Sequence, residues 1–218
     1  MLAELQQQLS DIYRVDAAHD IRDFLITDPT LAKFIGADAM LSNTEETLLV
    51  TQDDDGLALS LFLDGEMLAR LESANPLDCL QAGLLDDLWK VLEGVSHFSC
   101  VAWKAAQDRT VTLLELELQG EIDKFVSTAL LAIAQADAEL LNRLHGWLFD
   151  DIRFHDELDE EQVDRYRAAN DYAARFCHRI LEQLLQNDTA AFAELRQFYR
   201  LQAEDKISHI HSRTWSQA

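Results

Sequence analysis

Apolar residues recur along most of the chain at alternating spacings of three and four, the period of a helix with one buried face. Leu84, Leu88, Val91, Val95, Phe98 and Ala102 predict a long amphipathic helix ending near residue 107. Its start is expected at Asn75 as N-cap, with Pro76 at the first helical position and Asp78 in the first turn. Leu114, Leu118, Ile122, Phe125, Val126, Ala129 and Ile133 carry the period through about five more turns. VTLLELELQ (111–119) also alternates as a strand does, but Thr112 and Glu115 stand in capping-box spacing with Val111 and Leu116 as a hydrophobic staple, which decides for helix. A shorter helix follows over 136–149, then an acidic connector over 148–161. Asp159 and Gln162 cap a helix through Val163, Tyr166, Ala173, Cys177, Ile180 and Leu184. Asn187-Asp188-Thr189 breaks it, and a last helix runs from Phe192 through Leu195, Phe198 and Tyr199 to Ile207.

The N-terminal quarter reads differently. Leu2, Leu5, Leu9 and Ile12, then Ala17, Ile21, Phe24 and Leu25, predict two short helices, the second stopped by Thr27-Asp28-Pro29. TLLVTQ (47–52) and LALSLFL (57–63) flank Asp53-Asp54-Asp55-Gly56, and an Asp-Gly between two apolar runs is a hairpin signal. With only seven Gly and two Pro, a many-stranded sheet lacks its turns. The expected class is all-α, a helical bundle with a small N-terminal β-hairpin. Residues 1–75 supply the N-terminal helices and hairpin, packed on a bundle over 76–218 as one compact unit.

At 218 residues the chain can bury roughly 70% of its unfolded surface and needs no metal or disulfide to hold a core. Cys79, Cys100 and Cys177 are far apart and odd in number, so they read as core residues in a reducing compartment. The N-terminus has no signal-peptide pattern and no segment reaches the ~20 apolar residues of a membrane span, which predicts a cytoplasmic protein without membrane contact. Forty acids against 18 Lys and Arg give a net charge of −22, which repels nucleic-acid phosphates and disfavours direct nucleic-acid binding. Residues 162–218 hold eight basic and seven acidic residues, so the excess lies in residues 1–161.

No nucleophile elbow, P-loop, dinucleotide turn or zinc-protease motif is present, which weighs against an enzyme. What recurs is histidine four residues from an acid: His19 with Asp23, Glu93 with His97, Asp151 with His155, His178 with Glu182, and Asp205 with His209. In a chain this acidic, most such pairs are expected to be solvated ion pairs of ~0.3–0.5 kcal/mol. Glu93 and His97 lie opposite the apolar stripe of a central helix and share that face with Asp86. If the hairpin or another helix covers that face, the three must be satisfied together, and Gly94 beside them would admit the covering element. The next helix places Glu117, Glu121 and Lys124 along one edge. No cofactor is expected; if a divalent metal is bound, Glu93, His97, Glu117 and Glu121 are its candidate ligands. They share those types with carboxylate-rich bundle sites but lack the Glu-x-x-His pair of the ferritin-like ones. Arg175 with Arg179 and Arg196 with Arg200 are candidate anion-binding pairs, with pairing to acids inside the fold as the simpler role. Trp215 stands apart as an aromatic in a polar terminus.

The leading expectation is a non-catalytic interaction or regulatory protein with an acidic surface, whose partner is a protein with a basic surface or a second copy. A small metal-dependent or phosphate-handling enzyme built on the bundle is the alternative, and an acidic nucleic-acid mimic a further one.

Overall fold

The computed structural model describes residues 1–17, 19–37, 40, 43–53, 56–150, 157–186 and 189–214, and over these the protein is mainly helical with one small sheet. The first helix, Leu2–Tyr13 (α1), buries Leu5, Leu9 and Ile12, as their spacing requires. The helix expected over 17–25 does not form. Asp20 caps a single 3₁₀ turn at Ile21–Phe24, and Leu25–Ile26 (β1) then runs extended. The physical reason lies just ahead: a residue preceding proline is pushed out of the helical region, leaving too few residues to propagate a helix. Asp28-Pro29 instead starts one, Pro29–Gly36 (α2), with the Asp28 side chain accepting from the backbone N–H of Thr30 and Leu31.

Glu46–Asp53 (β2) and Gly56–Leu63 (β3) form the expected hairpin, in register Leu48↔Leu61, while β1 pairs parallel to β3 on its other edge. Asp54 and Asp55 of the turn fall outside the described residues. A helix absent from the sequence reading, Gly65–Ser73 (α3), follows at once, its N–H groups capped by Asp64 and its inner face made by Met67, Leu68 and Leu71.

Asn75 makes a turn instead of a helix start. Its carboxamide accepts from Leu77 N, and Gln135 grips the same loop by donating to the Pro76 carbonyl and accepting from Leu80 N. The central helix begins only at Leu85 and runs to Ala105 (α4). Leu113–Ala134 (α5) is helical throughout, capped by Thr112. Only half of its capping box forms, because the Glu115 side chain turns inward to Lys104. Ala138–Phe149 (α6) is capped by Asp137, and Glu160–Leu185 (α7) by the complete Asp159/Gln162 box. The last predicted helix is two, Thr189–Tyr199 (α8) and Ala203–Thr214 (α9). α8 ends in tight bonds from Arg200 N and Leu201 N to Gln197 O and Phe198 O, and α9 restarts along a line that sends Lys206 into the interior.

One apolar cluster joins all of this, from Leu5 and Leu61 through Val95 and Phe125 to Phe176 and Phe198. α5 is its axis, flanked by α4, α6 and α7. α1 packs on α4 and α8, and the hairpin lies on α4.

Candidate metal centre

The alternation of VTLLELELQ has a helical meaning. Residues two apart on a helix are about 200° apart, so polar residues at every second position fall alternately on two opposite faces. Glu115, Gln119 and Asp123 take one face of α5. Glu117, Glu121 and, a turn on, Lys124 take the other. All six are buried or nearly so, which makes α5 a buried helix with two polar edges.

On the second edge, α4 contributes Glu93 and His97, β2 contributes Glu46 and α7 contributes Arg165. Two glycines set the distances. A Cβ on Gly94 would stand 2.9 Å from the Leu61 side chain and 3.1 Å from Glu46, so the hairpin can press its inner face onto α4 only because residue 94 has no side chain. A Cβ on Gly120 would lie 3.1 Å from His97 Nε2, so α5 is notched where the imidazole reaches across. The solvated reading of Glu93 and His97 is therefore overturned. The imidazole is 12% exposed. Asp86 does not join them; it is exposed and paired with Lys90.

Ligand atoms of Glu46, Glu93 and His97 all lie within 4.8 Å of one another. Glu117 Oε2 is 3.9 Å from His97 Nε2, and its other oxygen is 3.8 Å from Arg165 Nε. Lys124 donates to Glu93 Oε2 at 3.0 Å and to Glu121 Oε1 at 2.7 Å. Three buried atoms here have no hydrogen-bond partner: Glu46 Oε1, His97 Nε2 and Arg165 Nε. Such orphaned groups cost free energy and ask for an explanation.

Four carboxyl groups thus face two fixed cations, Lys124 and Arg165. Burial, then Glu93 and Glu117 nearby, pushes the Glu46 carboxyl well up. Burial with Glu93 beside it raises Glu117 to about 8, and burial also raises Glu121. Burial works against ionised Glu93 too, but Lys124 and His97 outweigh it and hold Glu93 below the usual range. Burial lowers the His97 pKa, so the ring is neutral at pH 7 and Nε2 can offer a lone pair. Carboxylates and a neutral imidazole aimed at one point form a donor set that divalent first-row cations take.

The structure therefore brings the four sequence-derived candidates Glu93, His97, Glu117 and Glu121 to one place and adds Glu46, which no pattern in the sequence placed there. Asp-Gly turn chemistry fixed the hairpin, but not which helix its face would meet.

The arginines do not converge. Arg175 is exposed. Arg179 donates to Glu194 at 2.6 Å, and His209 lies 2.8 Å from the other oxygen of that carboxylate. Arg196 donates to the Ile12 carbonyl and Arg200 to those of Tyr13 and Arg14, so this pair closes the C-terminal end of α1. Pairing to acids inside the fold was the simpler expectation for them; Arg179 makes such a pair, with Glu194, while Arg196 and Arg200 are held by backbone carbonyls instead. Of the five histidine–acid pairs, Asp151 with His155 falls outside the described residues, as does Trp215.

The other edge of α5 carries a second buried polar network. Tyr13 and Gln119 donate to one Asp123 oxygen and Ser96 to the other. Lys206 donates to Gln119 Oε1 at 2.8 Å and lies 3.4 Å from Glu115, which also holds Lys104. Both lysines are fully buried, and burial lowers the Lys206 pKa. Only a hint existed beforehand: a lysine in the last turn of a strongly apolar helix, followed eleven residues later by Glu115. Comparison with protein-family models, with curated proteins and with solved structures gives no match to this chain.

Proposed function

We propose that the protein binds a divalent cation between β2, α4 and α5, with Glu46, Glu93 and His97 as its ligands and Glu117 next to them. The observation that carries this reading is the pair of buried, unpartnered atoms, Glu46 Oε1 and His97 Nε2, among donors within 4.8 Å. A cation of charge two would displace the proton that burial and Glu93 keep on Glu117 at neutral pH and would favour ionised Glu46, so the site would charge only as the ion binds. Three protein ligands leave coordination positions for water or substrate, the arrangement of catalytic rather than structural metal sites. The reading therefore extends to a small metal-dependent enzyme built on the bundle.

Equilibrium dialysis of the purified protein against manganese, iron(II) or zinc, followed by metal analysis, tests it. One equivalent should bind to the wild type and none to His97→Ala or Glu93→Ala. At a hundredfold excess over Kd the bound ion should stabilise the fold by about 2.7 kcal/mol. No binding by the wild type, or equal binding by both variants, overturns the reading.

A further inference from the structure

The two fixed cations beside Glu117 are used differently. Lys124 is held by Glu93 and Glu121. Arg165, in the second turn of α7, donates no hydrogen bond among the described residues, and its Nε is buried without a partner 3.8 Å from Glu117 Oε1. The neighbouring acid on its own helix does not take it either, since Asp164 pairs with Arg167 at 3.7 Å. A guanidinium carries five N–H donors in a rigid fork, and here none of them is met. The fork lies over the Tyr166 ring at 5.4 Å, which steadies one of its faces. The side chain keeps 18% exposure, so a molecule arriving from water can reach it.

Glu117 measures how far this fork stands from the cation ligands. One of its oxygens is 3.9 Å from His97 Nε2 and the other 3.8 Å from Arg165 Nε. The gap between a cation ligand and the guanidinium is therefore about as wide as one carboxyl group, yet Glu117 hydrogen-bonds to neither side. An oxyanion can span such a gap with one oxygen on a divalent cation and another on the fork, because both groups favour carboxylate and phosphate oxygens. We infer that Arg165 anchors the substrate of this site, a small molecule whose carboxylate or phosphate bridges the guanidinium and the cation held by Glu46, Glu93 and His97. The inference rests on the cation reading and adds the class of molecule that fills the open coordination positions.

Titration calorimetry of the cation-loaded protein with inorganic phosphate and with acetate tests it, and the anion that binds more tightly names the class. The loaded wild type should bind at least one of them and the metal-free protein neither. Arg165→Gln should bind that anion at least about tenfold more weakly, yet hold the cation at least as tightly, since a positive charge near it is gone. Arg165→Lys should fall between the two, keeping the charge without the fork. Equal anion affinity in Arg165→Gln and the wild type overturns the inference and leaves the cation reading standing. So does a loaded wild type that binds neither anion, or anion binding that survives removal of the metal. Loss of cation and anion together in Arg165→Gln would make Arg165 part of the fold and also overturn it. A wild type that loads none of manganese, iron(II) or zinc overturns the cation reading and this inference with it.

Discussion

The two polar edges of α5 use similar residues to opposite ends. On the edge of Glu115, Gln119 and Asp123, two carboxylates meet two lysines, and both oxygens of Asp123 accept hydrogen bonds. On the edge of Glu117, Glu121 and Lys124, four carboxyl groups meet two cations, and an imidazole nitrogen and a carboxyl oxygen lack partners. A network closed in this way ties α1, α4, α5 and α9 together; buried polar groups in balance fix how elements pack. The second edge is instead short of hydrogen-bond partners at Glu46 and His97, and the crowding of its carboxyl groups shows in the raised pKa values of Glu46, Glu117 and Glu121. The balance is not perfect on the closed edge, where Glu115 Oε2 has no partner. Its charge, however, is matched.

The sharpest way to break the comparison is to unbalance the closed edge. Glu115→Gln leaves Lys104 and Lys206 as two buried ammonium groups without their shared counter-charge, and breaking a buried pair costs about 3–5 kcal/mol. At about 2–4 °C per kcal/mol for a chain of this size, the melting temperature should fall by on the order of 10 °C. A change of a degree or two would mean that water reaches the lysines.

The open edge should respond with the reverse sign. Glu46→Gln replaces a buried carboxyl whose ionisation burial, Glu93 and Glu117 oppose with a neutral group of the same shape, and should leave the metal-free protein as stable as before or more so, by about 1 kcal/mol. The same substitution should abolish stabilisation by added metal, which calorimetric scans with and without the ion would record. Gly120→Ala probes geometry alone. Alanine favours a helix by about 1 kcal/mol, offsetting the crowding of a Cβ 3.1 Å from His97 Nε2, so stability should barely move. Metal affinity should drop by about tenfold or more as the ring is displaced, and titration calorimetry would show it.

The smallest effect lies outside both edges. Arg70 grips Asp87 through two hydrogen bonds, and that contact, against some burial, holds the Asp87 carboxyl below its ordinary value. A depressed carboxyl contributes stability above the unfolded pKa of about 4 and loses it as pH falls through the folded value. Arg70→Ala should therefore cost a few tenths of a kcal/mol at neutral pH, since the pair is partly exposed. In strong acid the two proteins should unfold alike, and a deficit that persisted there would assign the effect to lost packing.

Most of the bundle was legible because apolar period and caps act over neighbouring residues. The capping boxes show where that reach ends. Asp159 and Gln162 complete theirs, while Glu115 deserts Thr112 for a lysine eleven residues behind it. The two Asx-Pro steps traded roles for different reasons: Asp28 caps a helix locally where a stop was expected, whereas Asn75 is drawn into a turn by Gln135, some sixty residues away. At the candidate site, spacing on single helices singled out Glu93 with His97 and Glu117 with Glu121. It could not tell a wet face from a dry one, because that depends on Glu46 and Arg165 from elements that meet α4 and α5 only in the folded chain. Gly94 was the one local hint that something would cover them.

The arginine clamp on α1 has a consequence in time. Arg196 and Arg200 supply donors to the last carbonyls of a helix that ends at Tyr13, and Tyr13 stacks on Tyr199 at 4.2 Å. During synthesis at about 5–20 residues per second, those donors follow α1 by on the order of 10 to 40 seconds. For that interval α1 has neither these hydrogen bonds from Arg196 and Arg200 nor the Tyr199 ring it leans on. The native fold is thereby deferred until α8 has been made, and a ribosome stalled before residue 196 would present α1 with α4 to pack on but with its C-terminal carbonyls and Tyr13 ring uncovered.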